Sequence, residues 1–223
     1  MTIYYFRKMK KIISFLGIVL IILACIFVYS RNLEPEINYE SFNVVAPGVL
    51  RTPDERFKNL LDYPFEPNYL TIGDTRIHYL DVGPKDGKVI YLLHGQPAWS
   101  YLFRKMIPTL AQAGYRVIAP DMVGFGKSDK YLSIEDYSHQ MHVNKMTQLI
   151  RELDLQDITA HLHDWGGLVG FRVIAEEPDR FSSIIASNTS LIAPGRGFFR
   201  DLMTNISYPL FKLGIWFQGP ATW

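Results

Sequence analysis

The sequence predicts an α/β fold, a mostly parallel sheet flanked by helices on both faces. Apolar runs of strand length alternate with stretches of helical period from residue 89 onward, the rhythm of strands joined by crossover helices. Val89-Ile90-Tyr91-Leu92-Leu93 is apolar throughout, as a strand covered on both faces must be. The polar and glycine-rich clusters His94-Gly95-Gln96-Pro97, Asp121-Met122-Val123-Gly124-Phe125-Gly126 and His163-Asp164-Trp165 each follow a predicted strand. They therefore share the carboxyl edge of the sheet, where open α/β sheets carry their sites.

The elements follow in order. Residues 1–31 form a separate segment, in which Arg7, Lys8, Lys10 and Lys11 precede an uncharged apolar run of 18 residues, Ile12–Tyr29. That length just crosses a bilayer as a helix, and the flanking cations place the N-terminus in the cytoplasm and the remainder outside. A membrane anchor is the expectation. Export after cleavage of a signal peptide is an alternative, although no A-x-A site follows. A lipoprotein signal at Ile22-Leu23-Ala24-Cys25 is another, although the apolar run continues past the cysteine. Residues 32–66 carry prolines at 35, 47, 53 and 64. This segment reads as a linker that becomes an ordered lead-in near Leu50.

From Tyr69 the pattern alternates, turns at Gly73-Asp74 and resumes over Arg76–Asp81, which predicts an antiparallel hairpin. After the Val89–Leu93 strand a helix is expected over about Tyr101–Ala113, stopped by Gly114, and then a strand over Arg116–Pro120. Ser133 and Asp136 have the spacing of a capping pair. The helix expected after them carries Tyr137, Met141, Leu149, Ile150 and Leu153 at helical spacing. A strand over Asp157–Leu162 runs into Asp164, a helix follows over Gly167–Glu177, and Ser183–Ser187 is one more strand.

Composition narrows the function. Apolar residues make up 48% of the 223, enough for a sizeable core. Lys and Arg number 23 against 22 Asp and Glu, with no basic stripe interleaved with aromatics, so nucleic acid is not an expected partner. The single cysteine, Cys25, excludes an intrachain disulfide, and the six histidines lack paired metal-ligand spacing.

The strand, the short Asp164-Trp165-Gly166-Gly167 turn and the following helix resemble a nucleophile elbow. Serine normally occupies its centre, and here it is aspartate; Leu162 stands where the serine pattern has glycine. Serine needs a base to remove its proton before attack, whereas a carboxylate is already an anion. It can displace a leaving group from saturated carbon and form an alkyl ester, which water then hydrolyses with help from a general base. The indole of Trp165 offers one N–H and no acceptor, which suits a departing halide. The backbone N–H groups of Trp165 and Gln96 could hold the oxyanion. Asp164 could instead simply cap the following helix. His94 is expected to shape the oxyanion loop; His78, His139 and His142 read as surface or packing residues.

From about Leu50 onward the sequence resembles the haloalkane dehalogenases. The resemblance rests on Arg51–Phe57, His94–Pro108, Pro120–Lys130 and His163–Gly167, with the run His94-Gly95-Gln96-Pro97-Ala98-Trp99-Ser100-Tyr101-Leu102-Phe103-Arg104 the most specific. Epoxide hydrolases share the His-Gly-x-Pro and Asp-Trp-Gly-Gly elements. The resemblance implies an α/β-hydrolase fold with Asp164 as nucleophile, Trp165 as one halide donor and Gln96 as an oxyanion donor. Gln at that position implies a second halide-binding tryptophan in a helical cap, for which Trp216 is the candidate; packing within a cap helix is the alternative. It implies no cofactor, a small halogenated substrate and a monomeric catalytic domain. Core residues 67–193 would then be the N-terminal part of such a fold, and 194–223 the start of a truncated cap. The general base and the catalytic acid are expected beyond residue 223, so a fragment inactive alone is the expectation. An epoxide hydrolase with the same nucleophile and a non-catalytic, membrane-tethered α/β-hydrolase-like module are the alternatives.

Overall fold

A computed structural model of the chain describes residues 15, 17–29 and 43–190. Residues 17–29 form a helix, α1, in which Ile18, Leu20, Ile21, Ile22, Leu23, Ile26 and Val28 are all exposed. Among the described residues no helix is long and apolar enough to cross a membrane. The apolar run 12–29 lies partly outside them, because residues 12–14 and 16 are not described.

The α/β unit begins earlier than its proline content suggests. Strand β1 (Asn43–Ala46) already pairs antiparallel with β2 (Val49–Arg51), where the sequence predicts order only near Leu50. Gly48, at φ 73°, turns the chain between them, a backbone conformation that costs glycine little. β2 in turn pairs with the two-residue strand β7 (Lys130–Tyr131), giving a small sheet of order β1-β2-β7. A two-pronged ion pair locks this flap, with Arg51 Nε and Nη2 donating to the Asp129 carboxylate at 2.7 and 2.9 Å. Paired prongs of this kind fix geometry as well as adding energy.

The main sheet has six strands: β3 (Asn68–Ile72), β4 (Thr75–Val82), β5 (Val89–Leu93), β6 (Arg116–Pro120), β8 (Ile158–His163) and β9 (Phe181–Ser187), in the order β3-β4-β6-β5-β8-β9. The expected hairpin is the β3–β4 pair, antiparallel with Ile72 opposite Thr75. β4 also runs antiparallel to β6, while β5–β6, β5–β8 and β8–β9 are parallel.

Helices cover the sheet as the continuous apolar runs require. Tyr91 and Leu93 of β5 and Ile118 of β6 face a core with Val143, Met146, Leu149 and Ile150 of α3 (His139–Glu152) and Val169 and Val173 of α4 (Trp165–Glu176). Leu92, Val117 and Ala119 point the other way, onto Phe103 and onto Ile107 of α2 (Met106–Gln112). Each fully buried aliphatic side chain contributes about 1.5–3 kcal/mol, so β5, buried nearly throughout, anchors both layers.

Two expectations need correction. The helix predicted over Tyr101–Ala113 is two pieces, a 3-10 turn over Ser100–Phe103 and α2. The Tyr101 carbonyl is engaged by both the N–H and the side chain of Arg104, which closes a tight turn there. Ser133 caps only a 3-10 turn, accepting from Glu135 N; the side chain that caps α3 is Ser138, which accepts from Met141 N at 3.0 Å. Tyr137 therefore lies outside the helix, packed edge-on against Tyr131. The last expected strand is β9, and among the described residues it is less covered than β5, with Ile184 and Ile185 47% and 52% exposed.

Candidate active site

The strand-to-helix turn after β8 sets the site. β8 ends at His163 and α4 begins at Trp165, so a single residue, Asp164, makes the reversal. It does so at φ 52°, ψ −127°. For a residue with a Cβ this region costs roughly 1–3 kcal/mol and persists only when the surroundings impose it. The surroundings are made of glycine: a Cβ on Gly166 would collide with the Leu93 and His94 carbonyl oxygens, and one on Gly95 with the Asp164 carboxylate. Strand, helix and the loop after β5 can close to this distance only with glycine at both positions.

The Asp164 side chain accepts no capping hydrogen bond from α4, so the helix-cap alternative fails. Its Oδ1 instead accepts the Gln96 backbone N–H at 2.9 Å. Asp164 and Trp165 line an open depression of about 370 Å³ with Leu168, Asn188, Thr189 and Ser190. Trp165 is half exposed there. Its backbone N–H belongs to the first turn of α4, where helices leave N–H groups without intrahelical partners. Trp216 lies outside the described residues.

The loop that carries Gln96 is fixed from behind. His94 is fully buried; its Nε2 accepts the Met122 N–H at 3.0 Å, so Nδ1 carries the proton and donates to the Gly95 carbonyl at 2.8 Å. Burial holds its ring below the ordinary histidine range, which keeps it neutral in this arrangement. His94 thus shapes the loop, as its sequence position suggests. The Gln96–Pro97 peptide is cis.

A second tie was not visible in the sequence. Asp121, at the end of β6, is fully buried, and its Oδ1 accepts the Ser100 N–H while its Oδ2 accepts the Lys127 N–H and His78 Nδ1, each at 2.8 Å. Burial pushes this carboxyl up, but the facing His78 ring and the backbone donor outweigh it and hold it down to about 2. His78, expected at the surface or in ordinary packing, is in fact a fully buried partner of this carboxylate. One carboxylate thus joins the Gln96 loop, the glycine-rich loop after β6 and strand β4. Lys130 adds a brace by donating to the Gly126 and Ser128 carbonyls, each at 2.9 Å, and burial pulls its pKa down to about 8. The same-edge placement of the three clusters was the only sequence signal for these contacts.

The arrangement offers a carboxylate whose Oδ1 is anchored by the Gln96 N–H, with an indole next to it and an open approach to Oδ2. Among the described residues no group of three or more His, Cys, Asp or Glu side chains is placed to hold a metal ion.

The α/β-hydrolase fold family model matches residues 88–221. A haloalkane dehalogenase of Psychrobacter cryohalolentis is 50% identical over 175 residues, covering 74% of this chain and 58% of that protein. One from Mycolicibacterium paratuberculosis is 54% identical over 145 residues, covering 63% and 48%. The chain therefore spans about half the length of the curated relatives it matches. Among solved structures, the tetrameric haloalkane dehalogenase of Paraglaciecola agarilytica superposes with a TM-score of 0.66 at 41% identity, covering 72% of this chain and 55% of that one. An epoxide hydrolase of Vigna radiata superposes at 0.57 with 25% identity, covering 64% and 46%.

Proposed function

Because the chain belongs to the α/β-hydrolase fold family, we propose that it carries the attacking half of a hydrolytic haloalkane dehalogenase. The observation that carries this reading is the Asp164 carboxylate, held at the elbow with Oδ1 on the Gln96 N–H. Oδ2 attacks the halogen-bearing carbon; the carbon–halogen bond breaks and the halide leaves with the bonding pair. The product is an alkyl ester of Asp164. Trp165 stabilises the departing halide through its indole N–H, with Trp216 as the second donor. Water then adds to the ester carbonyl. The developing oxyanion forms on Oδ1, where the Gln96 and Trp165 N–H groups receive it. Collapse releases the alcohol, restores the carboxylate and delivers a proton to a general base outside the described residues. Removing one such oxyanion donor costs about 100- to 1,000-fold in related chemistry.

Epoxide opening by the same nucleophile is the second reading, favoured by the structural likeness to the Vigna radiata enzyme. The dehalogenase relatives match at about twice that identity, which supports the first reading. We also propose that residues 1–31 tether the protein to a membrane with the catalytic unit outside the cytoplasm. The cations at 7, 8, 10 and 11 and the exposed apolar side chains of α1 support this. Intact protein found in the soluble fraction with its N-terminus uncleaved would refute the tether.

The test uses the intact gene product with 1,2-dibromoethane and with an epoxide. Bromide release is expected, and Asp164→Ala should abolish it, a fall of at least about 10⁴-fold. Normal turnover by Asp164→Ala would sink the mechanism, and diol formation without any halide release from dibromoethane would favour the second reading.

A further inference from the structure

The backbone of Asp164 is gripped from the end of β9. The Thr189 hydroxyl donates to the Asp164 carbonyl at 2.7 Å, and the Gly167 N–H donates to the same oxygen at 2.9 Å. On the other side, the Asp164 N–H donates to the Ser187 carbonyl at 3.4 Å. Asn188, between those two anchors, is itself at φ 47°, which turns the chain back over the elbow. Gly167 has no room for a side chain because a Cβ there would occupy the space of the Thr189 hydroxyl. The threonine and the glycine are thus fitted to each other.

We infer that Thr189 is a positioning residue, whose hydroxyl clamps the Asp164 peptide in the left-handed conformation that aims the carboxylate at the Gln96 N–H. Its catalytic meaning rests on Asp164 being the nucleophile. The clamp itself does not. A residue at positive φ relaxes unless contacts hold it, and here the side chain contributes only the Gln96 bond. The peptide carbonyl has two donors. Gly167 N–H is part of α4 and moves with the helix, whereas Thr189 ties the peptide to the neighbouring strand. Loss of the hydroxyl therefore removes the tie between the Asp164 carbonyl and the end of β9, leaves the longer Asp164 N–H to Ser187 bond as the remaining backbone tie to that strand, and leaves α4 intact.

The test compares Thr189→Val, which keeps the shape and loses the hydroxyl, with Thr189→Ser, which keeps the hydroxyl, in the intact protein. Two readouts are taken: amide hydrogen exchange at Gly167 against a core amide such as Ile118, and the pre-steady-state bromide burst with 1,2-dibromoethane. Thr189→Val is expected to speed exchange at Gly167 about tenfold without changing Ile118. It should slow the burst about tenfold or more at little change in KM, as misplacement of a reacting group does. Thr189→Ser should restore both. Wild-type exchange at Gly167 in Thr189→Val, an equal effect from Val and Ser, or parallel acceleration at Ile118 would each overturn the inference. If the wild type releases no halide while the exchange difference between Val and Ser persists, the clamp stands and the dehalogenation reading falls.

Discussion

Replacing Asp121 by asparagine tests the tie behind the Gln96 loop. The amide keeps one acceptor oxygen but brings an NH₂ group against donors. If its oxygen keeps the Ser100 N–H, its nitrogen faces the Lys127 N–H and His78 Nδ1, so two of the three bonds are lost and donor meets donor. Hydrogen bonds to a charged group contribute about 1.5–3 kcal/mol each. Breaking a buried pair by removing one charge costs about 3–5 kcal/mol, and the two figures agree for two lost bonds. Against a domain stability of about 5–15 kcal/mol that is a large share, expected as a fall of roughly 10 °C in Tm for a chain of this size. Urea denaturation of the intact protein, with Asp121→Asn, His78→Gln and the double variant, measures it. The two effects should be non-additive by at least about 0.5 kcal/mol. A loss below about 1 kcal/mol for Asp121→Asn, or strict additivity with His78→Gln, would refute a network that works as a unit.

Two further outcomes can be checked directly. Gly95→Ala places a methyl group against the Asp164 carboxylate and should cut halide release by about 100-fold or more, measured against a Tm control; unchanged turnover would mean the nucleophile has room to move. His142, which burial above all holds down to about 4, is neutral in the folded state and titrates near 6.5 when unfolded. The unfolded chain therefore takes up the proton first. Stability should be at its plateau above about pH 6.5 and fall by roughly 2 kcal/mol as pH drops toward 4. Urea titrations of His142→Phe across this range should show a shallower fall, and an unchanged slope would assign the acid sensitivity elsewhere.

Some features of this molecule write themselves into local sequence and others cannot. Val89–Leu93 was legible because burial on both faces demands an unbroken apolar run, and the run coincides with β5. The elbow was legible because glycines must follow a residue forced into a sharp reversal. Periodicity misled over Tyr101–Ala113, where apolar spacing continues through a change of helix type, and at Ser133, whose spacing to Asp136 fits a cap that the chain builds at Ser138 instead. The His78–Asp121 pair spans 43 positions and the Thr189–Asp164 bond spans 25. No window short enough to show a period contains either, and each partner alone looks ordinary. Ile184 and Ile185 had the composition of a buried strand, but exposure depends on what lies against β9, which composition does not encode.

The left-handed backbone at residue 164 also sets fold and chemistry against each other. Glycine would adopt φ 52° with little strain, although its greater freedom in the unfolded chain gives part of that gain back. A library screened only for heat resistance would therefore tend to discard the one carboxylate on which the proposed reaction depends, and would return a sturdier but inert protein. Any effort to stabilise this protein by directed evolution needs an activity gate from its first round.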